Sequence, residues 1–133
     1  MVQIAKLAAG SYWQHMGMKA VEGSDGKIRV VLEITDDLLQ IYGNVHGGVF
    51  AGLLDSAIAV ALNQKLDENE GASTVEMKLN YLRSVNKGIL YAEGEVIQKG
   101  KKIIVGKGEI KDGTGQLVAF GTATFMVTRL TAE

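Results

Sequence analysis

Residues 47–62 read GGVFAGLLDSAIAVAL, and this segment, continuing to about Leu66, decides the fold. It is too long and too unbroken for a strand, and its Ala and Leu content favours helix. From Gly48 to Leu62 only Asp55 and Ser56 are polar. A helix apolar on nearly every side must be buried on nearly every side. One sheet face covers about half a helix, so the remaining surface calls for a second copy of the chain.

The flanking sequence supplies the sheet. Residues 2–15 can form a short helix with Ile4, Leu7, Ala8 and Tyr12 on one side. Met18–Glu22 is strand-like, and Ser24-Asp25-Gly26-Lys27 carries the Asp-Gly hairpin signal. Over residues 28–35, Ile28, Val30, Leu32 and Ile34 alternate with Arg29, Val31, Glu33 and Thr35. A loop follows from Asp36 to Val45. Beyond the helix, Val75, Met77, Leu79 and Tyr81 alternate with Thr74, Glu76, Lys78 and Asn80. Residues 89–98 and 102–111 read as strands around Lys99-Gly100-Lys101, and Asp112-Gly113-Thr114-Gly115 reads as a turn. The last strand places Leu117, Ala119, Gly121, Ala123, Phe125 and Val127 on one face. The expected class is α+β: a short N-terminal helix, then an antiparallel sheet curved around one long buried central helix, in one domain over residues 1–133.

Composition narrows the function. The chain of 133 residues has 47% apolar and 22% charged residues and a net charge of −1. It has no basic stripe for nucleic acid and no polybasic segment for an anionic membrane. No run reaches the ~18 apolar residues of a membrane span. The N-terminus lacks a long apolar stretch behind a basic lead, so it reads as carrying no signal peptide, and the expected location is cytoplasmic. With no cysteine, thiolate nucleophiles, zinc–thiolate sites and disulfides are excluded; with two histidines, His15 and His46, no metal centre is expected.

Asp55 is the anomaly. A carboxylate midway along an apolar helix is costly to bury unless paired or neutralised. Its helical neighbours Ala51, Gly52, Ile58 and Ala59 cannot pair with it. Its solvation must come from another element, another subunit or a wet pocket. Partial desolvation would raise its pKa and make it a better base; a structural ion pair is the competing explanation. The helix start, Asn44-Val45-His46-Gly47-Gly48, is the second feature. Two glycines leave backbone N–H groups approachable, and the helix dipole adds positive charge there. Such a place can hold a developing oxyanion, or the glycines can serve close packing alone. Asp55 lies eight residues beyond Gly47, roughly 12 Å along the axis. That is too far for both to act on one carbonyl, so joint action requires two antiparallel copies of the helix and a symmetric dimer with two composite sites.

His46-Gly47-Gly48-Val49-Phe50-Ala51-Gly52-Leu53-Leu54-Asp55-Ser56-Ala57 resembles the hotdog-fold thioesterase superfamily, in the branch typified by phenylacetate-pathway thioesterases. Thr74 to Arg83 resembles the strand after that family's central helix, and Phe120-Gly121-Thr122-Ala123-Thr124-Phe125 its closing strand. The resemblance covers roughly residues 10–128 and implies a hotdog fold. It also implies hydrolysis of an aryl- or medium-chain acyl-CoA to free acid and CoA, with no separate cofactor, since coenzyme A belongs to the substrate. The resemblance assigns the polarising amide to Gly47 and the carboxylate, as general base or nucleophile, to Asp55. It assigns a thioester-binding amide to Gln40, a departure from the Asn more usual in this branch. Water orientation falls to Thr74, with Ser73 beside it. Ser84-Val85 departs from the family's common proline.

Asn44, His46 and Gly48 flank the implied site, and His46 reads as a structural residue of the helix start. Lys99, Lys101 and Lys102 form either a solvated hairpin tip or, by the resemblance, a contact for CoA phosphates, with Arg83 as a further candidate. Tyr12 and Trp13 read as packing of the first helix or as lining of an acyl pocket. The implied assembly is a homo-oligomer with composite sites, a dimer of dimers. Two alternatives accompany this reading: a non-catalytic acyl-CoA binding or sensing module on the same fold, and a hotdog dehydratase, whose differently placed catalytic His is not found.

Overall fold

The computed structural model describes residues 2–130; Met1 and residues 131–133, which the sequence reading includes in the same domain, lie outside the described residues. The chain forms helices α1 (Val2–Ala8) and α2 (Ser11–Met16), strands β1 (Met18–Glu22) and β2 (Ile28–Glu33) and a 3-10 turn (Asp36–Leu38). Helix α3 (Gly47–Asn63) follows, then β3 (Glu70–Tyr81), β4 (Ile89–Lys99), β5 (Ile103–Lys111) and β6 (Leu117–Arg129). The expected single N-terminal helix is two. Gly10, extended at φ −62° and ψ 148°, breaks it, as a residue with little helical preference can. Gly17 at φ 80° ends α2 in a left-handed cap. Helix α3 stops at Asn63, three residues short of Leu66.

All six strands join one antiparallel sheet in the order β1-β2-β4-β5-β6-β3. Helix α3 packs against β2, β3, β4, β5 and β6. Those five strands span about 19 Å at 4.8 Å spacing, wider than a helix about 10–12 Å across. One helix reaches them all only because the sheet curls around it. The core runs along that contact: Leu53, Leu54, Ile58 and Leu62 of α3 are fully buried against Val30, Leu32, Leu90, Ala92, Ile104 and Ile110.

Three glycines let the helix approach. The register puts Gly94, Gly108 and Gly121 side by side across β4, β5 and β6. A Cβ at Gly108 would lie 2.8 Å from Leu54 Cδ1, and one at Gly94 would lie 2.7 Å from Ile58 Cα. The row is therefore a trough in which α3 rests.

Burial of α3 is uneven. Val49, Phe50, Leu53, Leu54, Ser56, Ala57, Ile58, Val60 and Leu62 are buried. Ala51, Gly52, Asp55 and Ala59, a stripe at helical spacing, are only half-buried. Beside that stripe β3 forms the sheet edge, twelve residues long, with no partner on its outer side among the described residues. No helix among the described residues is long and apolar enough to cross a membrane.

Candidate active site

Asp55 makes no ion pair among the described residues. Its hydrogen-bond partner there is the Thr74 hydroxyl, which donates to Oδ1 at 2.7 Å. A β-bulge brings Thr74 there. Thr74 pairs with Phe125 and Glu76 with Thr124, so one extra residue, Val75, interrupts the ladder. Simple alternation puts Thr74 on the face opposite Met77 and Leu79. The bulge shifts the phase, so Ala72, Thr74, Met77 and Leu79 all oppose residues of the helix-facing side of β6. Val75 is left exposed at 52%. Ser73 pairs with Met126 on the opposite face, away from Asp55. Thr74 lies four residues inside β3 rather than at its opening, because the strand begins at Glu70.

The helix start is built around its glycines. His46 is the N-cap of α3, and its Nδ1 accepts from the Gly48 N–H at 2.8 Å. The Gly48 amide is thus occupied. The Gly47 N–H has no acceptor among the described residues, while its carbonyl accepts from the Tyr81 hydroxyl at 3.0 Å. Gly47, Gln40, Asn44, Phe50, Tyr81 and Arg83 line a cleft of about 230 Å³. The Tyr81 ring meets Phe50 edge-on, centroids 5.9 Å apart. Tyr81 and Phe50 were not singled out from sequence as site residues; the signal was Tyr81's place on the Met77–Leu79 face of its strand.

Gln40 sits in a tight turn. Its N–H donates to Asn44 O at 2.7 Å, Gly43 N–H returns to Gln40 O at 3.0 Å, and Gly43 takes φ +91°. The Gln40 side-chain carbonyl accepts from the Tyr42 N–H. That bond fixes which end of the amide is which, since only oxygen can accept. The Nε2 donor remains for another acceptor. The cleft therefore offers two donors of one kind, a bare backbone amide and a side-chain amide, beside the N-terminus of a 17-residue helix.

Asp55 and Thr74 are absent from the cleft lining. The structure keeps Asp55 and the Gly47 amide on one helix but eight residues apart, as the spacing predicts, with Gln40 in the turn before it. The basic candidates are separated too. The Arg83 N–H reaches Val118 O at 3.3 Å, and Lys102 O accepts from Val127 N–H at 2.7 Å. Nine strand residues separate those contacts, roughly 30 Å. Lys99, Lys101 and Lys102 are exposed at the β4–β5 turn and make no ion pair among the described residues. Arg83 lies near Asp112, whose carboxyl is held low first by the Thr114 hydroxyl and in small part by the Arg83 charge. No group of three or more His, Cys, Asp or Glu that could hold a metal ion occurs among the described residues.

The model of the Thioesterase superfamily matches residues 42–119, more than half of the chain and the whole span from the Gly47 cleft to β6. The chain belongs to that superfamily. As a superfamily member it is an enzyme of the thioester-hydrolase class, and its sheet and central helix are the hotdog fold. A 1,4-dihydroxy-2-naphthoyl-CoA hydrolase of Listeria monocytogenes is 30% identical over 112 residues, covering 84% of this chain and 91% of the relative. A Bacillus halodurans protein solved with CoA superposes with a TM-score of 0.87 at 28% identity, covering 98% of this chain and 87% of the other. A phenylacetic acid degradation-related protein of Ralstonia eutropha superposes at 0.80 with 25% identity, covering 92% and 98%.

Proposed function

We propose that this superfamily member hydrolyses acyl-CoA thioesters of aryl or medium-chain acids, in composite sites shared by two copies of the chain. The observation that carries the reading is Asp55: a half-buried carboxylate with no cation paired to it among the described residues, oriented by one hydroxyl and set in a stripe of small residues. A structural ion pair would have supplied the cation that is missing. Thr74 holds Oδ1, leaving Oδ2 for a water or for the acyl carbon.

A second copy supplies what one chain lacks. The open β3 edge can pair antiparallel with its twin, which covers both edges and lays the half-buried stripes of the two helices together. Antiparallel helices set Asp55 of one copy against the Gly47 amide and Gln40 Nε2 of the other. Those donors polarise the thioester carbonyl and hold the charge that develops on its oxygen. The same pairing brings the Lys99–Lys102 turn of one copy toward the Arg83 end of the other, where both can meet CoA phosphates. Support for the acyl-CoA class comes from the Listeria relative's name and from the CoA in the Bacillus structure.

Thiol release from a panel of acyl-CoAs tests this. Wild type is expected to turn over at least one aryl- or medium-chain thioester, and Asp55→Asn to lose at least ~100-fold in kcat, the scale of a lost general base. Full activity in Asp55→Asn removes Asp55 from the mechanism. Binding without hydrolysis across the panel favours an acyl-CoA binding module.

A further inference from the structure

Tyr12 and Trp13 are neighbours in α2 with opposite fates. Trp13 is buried in the core at 6% exposure, whereas Tyr12 remains 53% exposed. Trp13 therefore does the packing that anchors α2, and Tyr12 is not needed for it. Yet Tyr12 has a definite seat. A Cβ at Gly52 would collide with the Tyr12 hydroxyl oxygen, and the ring atom bearing it would be 3.2 Å away. The phenol oxygen rests on the bare Cα of α3, and its hydroxyl has no hydrogen-bond partner among the described residues. Glycine inside a helix is disfavoured against alanine. Gly52 is the sixth residue of a 17-residue helix, inside it, and the other half-buried stripe positions near it are Ala51, Asp55 and Ala59. Within one chain, the group that fills the space beside Gly52 is the Tyr12 phenol.

Gly52 precedes Asp55 by three residues, so the two positions are neighbours on one helical face, with about 5–6 Å between Cβ positions. A carbonyl carbon attacked by Asp55, or by a water on it, must lie within roughly 3–6 Å of that carboxylate. Tyr12, seated on Gly52, therefore stands beside the zone in which that carbonyl and the first acyl carbons must lie.

On the reading of Asp55 given above, we propose that Tyr12 is a specificity-determining residue. Its ring walls the acyl site next to the thioester carbonyl, seated by Gly52, and admits flat or unbranched acyl groups while rejecting those branched at the α-carbon.

The test compares kcat/KM for hexanoyl-CoA, benzoyl-CoA and 2-methylhexanoyl-CoA. Tyr12→Ala is expected to raise the 2-methylhexanoyl-to-hexanoyl ratio at least ~10-fold, the scale one methyl group carries in a fitted pocket. Tyr12→Phe keeps the wall and leaves the ratio within about 3-fold of wild type. Gly52→Ala displaces the phenol without touching Tyr12 and moves the ratio the same way. In the Tyr12→Ala background it adds nothing, because the clash is gone. A purely structural Tyr12 would depress all three substrates in proportion, so an unchanged ratio in Tyr12→Ala or, should that variant fail to fold, in Gly52→Ala overturns the assignment and leaves the hydrolase reading standing. Wild type inert toward every thioester overturns both.

Discussion

Gly94→Ala puts the seating of the central helix to a quantitative test. The added methyl would sit 2.7 Å from both the Ala57 carbonyl carbon and Ile58 Cα, and closer still to the Ala57 carbonyl oxygen. Ordinary carbon contacts begin near 3.5 Å, so α3 must retreat by roughly 0.8 Å. None of the three obstructing atoms is a side-chain tip that could swing aside; all are backbone of α3. Leu54, Ile58 and Leu62 are fully buried and move with the helix, losing contact on their sheet side. Overpacking of this kind costs about 1–3 kcal/mol, and the upper end applies where backbone must shift. Alanine regains about 0.5–1 kcal/mol over glycine in a strand. The net loss is therefore about 2 kcal/mol, or about 1 M in the urea midpoint. Gly113→Ala is the control: nothing lies within 4 Å of its added Cβ and its φ is not positive. It is expected to be neutral or to stabilise by up to about 1 kcal/mol. Urea unfolding at one fixed protein concentration compares the two. If Gly94→Ala unfolds within about 0.5 kcal/mol of wild type at unchanged slope, the trough of glycines is not what seats the helix.

Two further outcomes follow from the surface chemistry. His46→Ala removes the acceptor for Gly48 N–H and is expected to cost about 0.5–2 kcal/mol in urea unfolding, with His46→Asn restoring most of it; equal loss in both variants would mean that the cap is not what His46 supplies. Asp25 is held down to about 2, first by the Arg29 guanidinium and then by the Lys27 N–H. Because the folded value is the lower one, this contribution is present above the ordinary carboxylate range and fades as pH falls toward 2. Carbon-detected NMR is expected to show Asp25 titrating there and returning toward ~3.9 in Arg29→Ala; an unmoved Asp25 would assign the shift to the backbone donor instead.

Much of this was legible in the residues. Sixteen near-continuous apolar positions could only be a buried helix, and its half-buried stripe is where the sequence left Asp55 without a partner. The eight-residue offset between Gly47 and Asp55 is a matter of helix rise, so acid and amide were separable before any coordinates. Long-range register was not legible. Gly94, Gly108 and Gly121 are far apart in sequence and become a trough only once three strands pair. Alternation alone misplaces Thr74, because a bulge at Val75 has no signature in a run of ordinary strand formers. The break at Gly10 and the orientation of the Gln40 amide likewise depend on neighbours that the local pattern does not specify.

Mixing two disabled variants asks most directly whether one site draws on two chains. Asp55→Asn and Gln40→Ala, each with low thioesterase activity alone, are unfolded together and refolded as an equimolar mixture. If acid and amide come from different copies, half of the dimers are mixed and each carries one intact site of its two, so activity returns to about a quarter of wild type. If both groups serve a site within a single chain, every site in the mixture stays broken, and activity no higher than the mean of the two variants would contradict the account.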